Sequence, residues 1–389
     1  MPSIAPTYGP QKMNLVKGQG AWLYDQEDRA YLDFASGIAV TSLGHNHPAL
    51  TQALQTQAQA LLHVSNLYGI PGQQQLADRL TAQSFAQSTF FCNSGAEAME
   101  ACFKFARRYH WHHGAPEKYE IISFSGAFHG RTLATIAAGG AEKYMEGFGP
   151  KAPGFHQVPF GDLAAARDLI GPKTAALVVE PIQGEGGIRP NTTEFMQAVR
   201  ALADSNGVLL IFDEIQTGIG RTGHFWAHEH YKCTPDLLAS AKGLGGGVPV
   251  GAVLMTAAVA QALSPGSHGT TFGGNPLAMA AANAVTQIID HPDFLSDVRR
   301  KGALLSDCLA CLVAADNRIL AGYRGMGLMQ GLQLHEGQQV AELVEAARQN
   351  GLLTVPAGDQ TVRLLPPLTV SDAEIHMAAE RLETAVKAL

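Results

Sequence analysis

Four consecutive apolar residues, Leu209, Leu210, Ile211 and Phe212, stop abruptly at Asp213 and Glu214. A short apolar run without polar alternation suits a strand buried on both faces. Comparable runs recur at 88–93, 121–124, 175–179, 237–240 and 250–255, with helical patterns between most of them. Such alternation predicts a mostly parallel sheet covered by helices. Upstream, from about residue 17 to 34, apolar and polar positions alternate around a turn at 25–28, which predicts a hairpin. Pro48 opens a helix that extends through residue 63. A long alanine-rich helix starts at Pro276, and beyond it the pattern changes. Helices at 293–313, 338–349 and 373–388 alternate with short strands such as 327–334 and 362–365, and Ser371 with Glu374 forms a capping box for the last helix. The expected architecture is α/β, a large domain over 46–280 with a mostly parallel sheet, plus a smaller α+β C-terminal domain over 281–389 to which the N-terminal segment 1–45 belongs.

The 389 residues suffice for a large core, and 46% hydrophobic with 16% charged residues is the balance of a compact chain. A formal net charge of -7 without basic blocks argues against nucleic acid or an anionic membrane as partner. The first twenty residues lack the apolar core of a signal peptide or anchor, and five scattered cysteines suit a reducing compartment, so the expected location is cytoplasmic. Cys308 and Cys311 form a CxxC, but within a helical pattern and without a second pair, so core packing is expected of them. The clustered histidines lack a partner motif, and no metal is expected.

An acid at the end of a buried strand stands where ligands of open α/β sheets bind, although a lone aspartate there is more often a cap. Lys242, in LASAKGLGGGVP, sits on backbone that can be approached closely. Desolvation there lowers a lysine pKa and makes it a candidate Schiff-base nucleophile. An amine to hold an aldehyde and an acid to keep a pyridine nitrogen protonated are the two groups that pyridoxal phosphate chemistry most needs. Ser94, Gly95 and Ala96 join a strand to a helix N-terminus, an anion site in the making. Phe128 could stack on a flat ring, and Arg131 could take a carboxylate with two parallel hydrogen bonds. Glu185 lies in the glycine-flanked loop EPIQGEGG, Arg363 heads an apolar strand and needs a partner, and GTTFGGNP offers the hydroxyls of Thr270 and Thr271. The segment GIGRTG at 218–223 satisfies GxGxxG and makes an NAD-dependent dehydrogenase a formal rival. Its context is wrong, because polar residues interrupt the strand-to-glycine turn and HFWAHEH follows where a small-residue helix should start.

NSGAEA, FHGRT, EPIQGEGG, DEIQTGIGRTG, AKGLGGG and HGTTFGGNPLA, in this order, resemble the class III (ω-amino acid) pyridoxal phosphate aminotransferases over nearly the whole chain. The opening YLDFASGIAVTSLGHNHPAL looks most like the acetylornithine aminotransferases. The resemblance implies fold type I, pyridoxal 5′-phosphate as cofactor, and a homodimer with active sites at the interface. It implies that Lys242 binds the aldehyde and moves protons as the general base and acid, and that Asp213 partners the ring nitrogen. It also implies that Gln216 bonds the ring's phenolic oxygen, Phe128 stacks on the ring, and Ser94, Gly95, Ala96 and the partner subunit's Thr271 hold the phosphate. For the substrates it implies Arg131 on the distal carboxylate, Thr270 beside it, and Glu185 with Arg363 as a gate. The expected reaction passes the terminal amino group of N2-acetyl-L-ornithine to 2-oxoglutarate, in arginine biosynthesis. N-succinylornithine, succinyldiaminopimelate and 4-aminobutyrate are alternative donors. Ile38 stands where ornithine δ-aminotransferases carry a tyrosine for the free α-amino group, and an apolar residue there suits an acylated amine better.

Overall fold

In the computed structural model, which describes residues 3–10 and 12–389, the strand Leu209–Asp213 is the central member of a seven-stranded sheet. Across the sheet the order is Ser88–Cys92, Gly251–Met255, Leu237–Ser240, Leu209–Asp213, Thr174–Val179, Glu120–Phe124 and Phe155–Val158. Only Gly251–Met255 runs against the others, so the sheet is mostly parallel as the pattern predicts. The reversal has a consequence for the site. It brings the beginning of Gly251–Met255 to the edge where the other strands end, so residues 248–250 reach the same place as residue 213.

Both faces of the sheet are covered, which is why the central run needs no polar alternation. Leu209 and Ile211 pack with Met99, Ala101 and Cys102 of the helix Gly95–His112. Leu210 and Phe212 point the other way and pack with Met196, Val199 and Ala203 of the helix Thr193–Asn206. At roughly 1.5–3 kcal/mol per fully buried side chain, these four residues hold the strand between its two covering layers. Asp213 and Glu214 inherit this alternation. Asp213 turns toward the open edge, while buried Glu214 turns back and accepts from the N–H groups of Ala227 and His228 at 2.6 and 2.9 Å.

The hairpin expected around residues 25–28 is present as Trp22–Asp25 and Ala30–Asp33, joined by Leu15–Gln19 on one side. Leu352–Leu353 completes that sheet, parallel to Ala30–Asp33. A further antiparallel sheet consists of Leu320–Met326, Met329–Leu334, Thr361–Leu364 and Val355–Ala357, and the helices Pro292–Ala315, Val340–Gln349 and Asp372–Lys387 belong to the same part of the chain. The strand expected at 327–334 is present as Met329–Leu334; residues 327 and 328 form the turn before it, where Gly327 takes a left-handed φ of 54°, and Leu320–Met326 on the other side of that turn is an additional strand. The capping box forms: Ser371 Oγ accepts from Glu374 N at 3.3 Å, and Glu374 Oε2 accepts from Ser371 N at 2.8 Å. Core packing holds for one cysteine of the CxxC and not the other: half-buried Cys308 packs against the main hydrophobic core, while Cys311 is exposed. Among the described residues no helix is long and apolar enough to cross a membrane.

Candidate active site

The carboxyl edge of the large sheet opens into a cavity of about 400 Å³, within the range of small-molecule sites. Five strand ends deliver its functional groups. Ser94, Gly95 and Ala96 come from Ser88–Cys92, Phe128 and Arg131 from the loop after Glu120–Phe124, Glu180 and Glu185 from the loop after Thr174–Val179, Asp213 and Gln216 from Leu209–Asp213, and Lys242 from Leu237–Ser240.

At the first of these ends Ser94 is extended, and its hydroxyl accepts from Glu97 N at 3.2 Å, which starts the helix Gly95–His112. The N–H groups of Gly95 and Ala96 precede any intrahelical acceptor, so the positive end of the helix faces the cavity. Glycine is required at 95, because a Cβ there would lie 2.8 Å from the Ile215 side chain. Phe128 forms part of the wall, and the exposed Arg131 guanidinium sits 3.9 Å over the ring of Tyr144.

Lys242 keeps some accessible surface, which it presents to the cavity. Protein surrounds the amine, and this burial pushes its pKa down; the charge of Glu185 opposes the shift and that of Arg363 adds to it. The backbone at Lys242 has φ 42°, a left-handed conformation costing about 1–3 kcal/mol for a residue with a side chain. Asp213 is buried, with Oδ1 accepting from Ile215 N at 3.1 Å and Oδ2 2.8 Å from Nδ1 of buried His129. Burial disfavours the charged form of His129, but the hydrogen bond and charge of Asp213 outweigh it and the net shift is upward.

Arg363 is buried in the strand Thr361–Leu364, outside the cavity lining, and meets the site through Glu185 and Gln216. Its Nη1 pairs with Glu185 Oε1 at 2.7 Å and reaches Gln216 Oε1 at 3.4 Å, and its Nη2 donates to Pro356 O at 3.0 Å. Among the described residues its Nε has no partner.

Thr270 and Thr271 stand apart from this group. Thr270 Oγ1 is 3.3 Å from Asn93 Nδ2, Thr271 is exposed, and neither lines the cavity of the single chain. Ile38 is also outside the lining, 39% exposed; Val40 is the residue that reaches the wall from that segment. Its position follows from left-handed backbone at Ser36, Ile38 and Ala39, for which Gly37 is the only sequence signal. His129 and Glu180 were also missed as parts of the site, although both lie inside the motifs that drew attention to their neighbours. The GIGRTG turn binds its own chain: Arg221 is buried and donates to Leu328 O and Pro366 O at 3.0 and 2.5 Å, and a short 3-10 turn, Ala227–Tyr231, follows. Its glycines are engaged in a chain crossing and offer no helix N-terminus to a dinucleotide.

The family Aminotransferase class-III matches residues 3–386. The chain belongs to the class III aminotransferases. It is 54% identical over 387 residues to an acetylornithine aminotransferase of Mesorhizobium japonicum, covering 100% of this chain and 96% of that protein. Among solved structures, the N-acetylornithine aminotransferase of Stenotrophomonas maltophilia K279a is similar with a TM-score of 0.86 and 36% identity, over 97% of this chain and 96% of that one. The ornithine aminotransferase of Toxoplasma gondii ME49 gives 0.95 and 32%, over 99% and 93%.

Class III aminotransferases use pyridoxal 5′-phosphate, and the cavity of this class III chain fits that group. A desolvated amine, a buried carboxylate, a flat aromatic wall and an unpaired helix N-terminus face one space, which is the donor set an aldehyde, a pyridine nitrogen, a planar ring and a phosphate require.

Proposed function

We propose that this aminotransferase carries the terminal amino group of N2-acetyl-L-ornithine to 2-oxoglutarate, giving N-acetyl-L-glutamate 5-semialdehyde and L-glutamate in arginine biosynthesis. The observation that carries the reading is the ion pair between Glu185, which lines the Lys242 cavity, and buried Arg363 behind it. One site must accept a donor whose reacting carbon bears no carboxylate and then an acceptor whose reacting carbon does. A cation that an acid can cover or release meets both demands. The names of the relatives and the apolar side chain of Val40 support an acylated donor.

When bound, pyridoxal phosphate supplies an electrophilic aldehyde and a ring that takes up electron density from the reacting carbon. Gly95 and Ala96 N–H groups with Ser94 hold the phosphate, Phe128 covers the ring, and Gln216 bonds the ring's oxygen. Asp213 keeps a proton on the ring nitrogen, and the Ile215 N–H and His129 hold its carboxylate in place. Lys242, whose amine is driven toward the neutral form, takes the proton from the donor's terminal carbon and returns it as acid. Arg131 binds the donor's distal carboxylate. A second copy of the chain would supply Thr271 to the phosphate and place Thr270 by the substrate. The exposed apolar side chains Leu67, Tyr68 and Phe272 around these loops support such a homodimer. Five free cysteines support a cytoplasmic location.

Turnover of N-acetylornithine, N-succinylornithine, ornithine and 4-aminobutyrate with 2-oxoglutarate tests the donor. The highest kcat/KM is expected for N-acetylornithine; a higher value for ornithine or 4-aminobutyrate would remove the reading. The gate has its own test. Arg363→Ala should weaken the 2-oxoglutarate half-reaction by about 2–5 kcal/mol, the cost of losing one partner of a buried charged contact, and change the N-acetylornithine half-reaction much less. Glu185→Gln should do the reverse and make glutamate react better, since Arg363 is then always uncovered. Stopped-flow measurement of each half-reaction decides. Equal losses in both halves for Arg363→Ala would make the arginine structural.

A further inference from the structure

Glu180 follows the strand Thr174–Val179 directly and is buried, yet no step proposed above uses it. Its carboxylate oxygens are divided between two loops. Oε1 accepts from the Phe128 N–H at 2.8 Å, and Oε2 accepts from the Gly184 N–H at 3.2 Å. The residue's own carbonyl accepts from Asn191 Nδ2 at 2.9 Å, so the backbone carrying the carboxylate is fixed too.

The two N–H groups belong to parts of the site with different tasks. Phe128 is cavity wall. Gly184 precedes Glu185, whose carboxylate covers Arg363, and it lies so close to Gln216 that a Cβ at 184 would fall 2.5 Å from Gln216 Oε1. Gln216 in turn stands 3.4 Å from Arg363 Nη1. Position at Gly184 is therefore transmitted to both side chains that meet Arg363 Nη1.

Among the described residues no cation pairs with Glu180 within ion-pair distance, so the acid is held at a cost. Burial, and after it the charge of Asp213, push its carboxyl up to about 7, against His129 and the two N–H donors. A side-chain amide would avoid that cost but has a single accepting oxygen beside an NH2 that can only donate, whereas the carboxylate offers two accepting oxygens to two N–H groups. An acid at this position is explained only if both bonds are needed at once.

We infer that Glu180 is a positioning residue that ties the Phe128 wall to the loop 184–187 and thereby sets how readily Glu185 gives up Arg363. The inference rests on the gate proposed above. Glu180→Gln preserves size and removes one acceptor. The ratio of the glutamate to the N-acetylornithine half-reaction rate should then change at least about fivefold, the effect of one buried hydrogen bond lost. Added to Glu185→Gln, the same substitution should change the ratio far less, because the gate carboxylate is already gone. In cofactor-free protein, amide exchange over 182–187 should rise while that of the helix Gly95–His112 stays as in wild type. Equal slowing of both half-reactions, or full additivity with Glu185→Gln, would overturn the inference. Should Glu180→Gln fail to fold, Glu180→Asp, charged but one methylene too short to span both N–H groups, carries the same test. A wild-type enzyme that does not react with N-acetylornithine counts against the proposed donor; one that does, with an unchanged ratio in the variant, counts against Glu180 alone.

Discussion

Lys242→Ala is expected to leave a folded protein whose turnover of N-acetylornithine with 2-oxoglutarate falls about 10⁴-fold, the upper range for a positioned acid–base group. The separation of fold from activity follows from where the side chain's contributions lie. Its backbone strain, φ 42° at the start of the turn Lys242–Leu244, is held by Leu244 N to Ala241 O at 2.9 Å and Gly245 N to Lys242 O at 3.1 Å. Alanine has the same Cβ and meets the same strain. What the substitution removes is an amine that burial disfavours in its charged form and that makes no hydrogen bond among the described residues. Thermal unfolding of the cofactor-free variant should accordingly start no earlier than that of wild type, and any difference should be toward greater stability. Near wild-type turnover would transfer the acid–base role to another residue. Loss of activity together with early unfolding of the cofactor-free protein would mean that Lys242 holds the fold.

The residues that could be picked out beforehand share one physical signature, a polar group at the end of an apolar run. Asp213 after Phe212 and Lys242 after a small apolar strand are misplaced on any account of packing alone, and the sheet brings both to one edge. Glu180 carries the same signature, after a strand with all six residues buried, but the glycines around Glu185 make the later acid more conspicuous. Where the run is missing the element was missed as well. Phe155–Val158 is an edge strand with two half-buried positions, and Leu320–Met326 contains two glycines and mixes exposed with half-buried residues. His129 had no signal of its own kind. Its partner lies 84 residues away, and only the adjacency of two strand-end loops turns a histidine in FHGRT into a support for an aspartate. The cavity wall at Val40 depends on three left-handed residues with side chains, a conformation that sequence pattern disfavours.

Asp213→Asn should retain the fold and the cofactor but slow the first half-reaction by about 10²- to 10³-fold, the scale of losing one preorganised electrostatic contact. The substitution is close to isosteric, and its hydrogen bonds can survive. The amide oxygen can still accept from Ile215 N, and the amide nitrogen can donate to His129 Nδ1 once the imidazole carries its proton on Nε2, a buried atom without a partner among the described residues. What cannot survive is the negative charge that keeps a proton on the ring nitrogen and so lets the ring draw electrons from the reacting carbon. The same loss should be visible without cofactor. Asp213 raises the pKa of His129 against the effect of burial and is, after burial, the main cause holding Glu180 up to about 7. In the cofactor-free variant both groups should therefore titrate lower than in wild type, which NMR titration of the two side chains would measure. A variant with a lowered His129 pKa and an unchanged single-turnover rate would show that the carboxylate is present in the site but that its charge does not drive the chemistry. A slow variant in which His129 titrates as before would show that the network had rearranged, and the charge argument would fall with it.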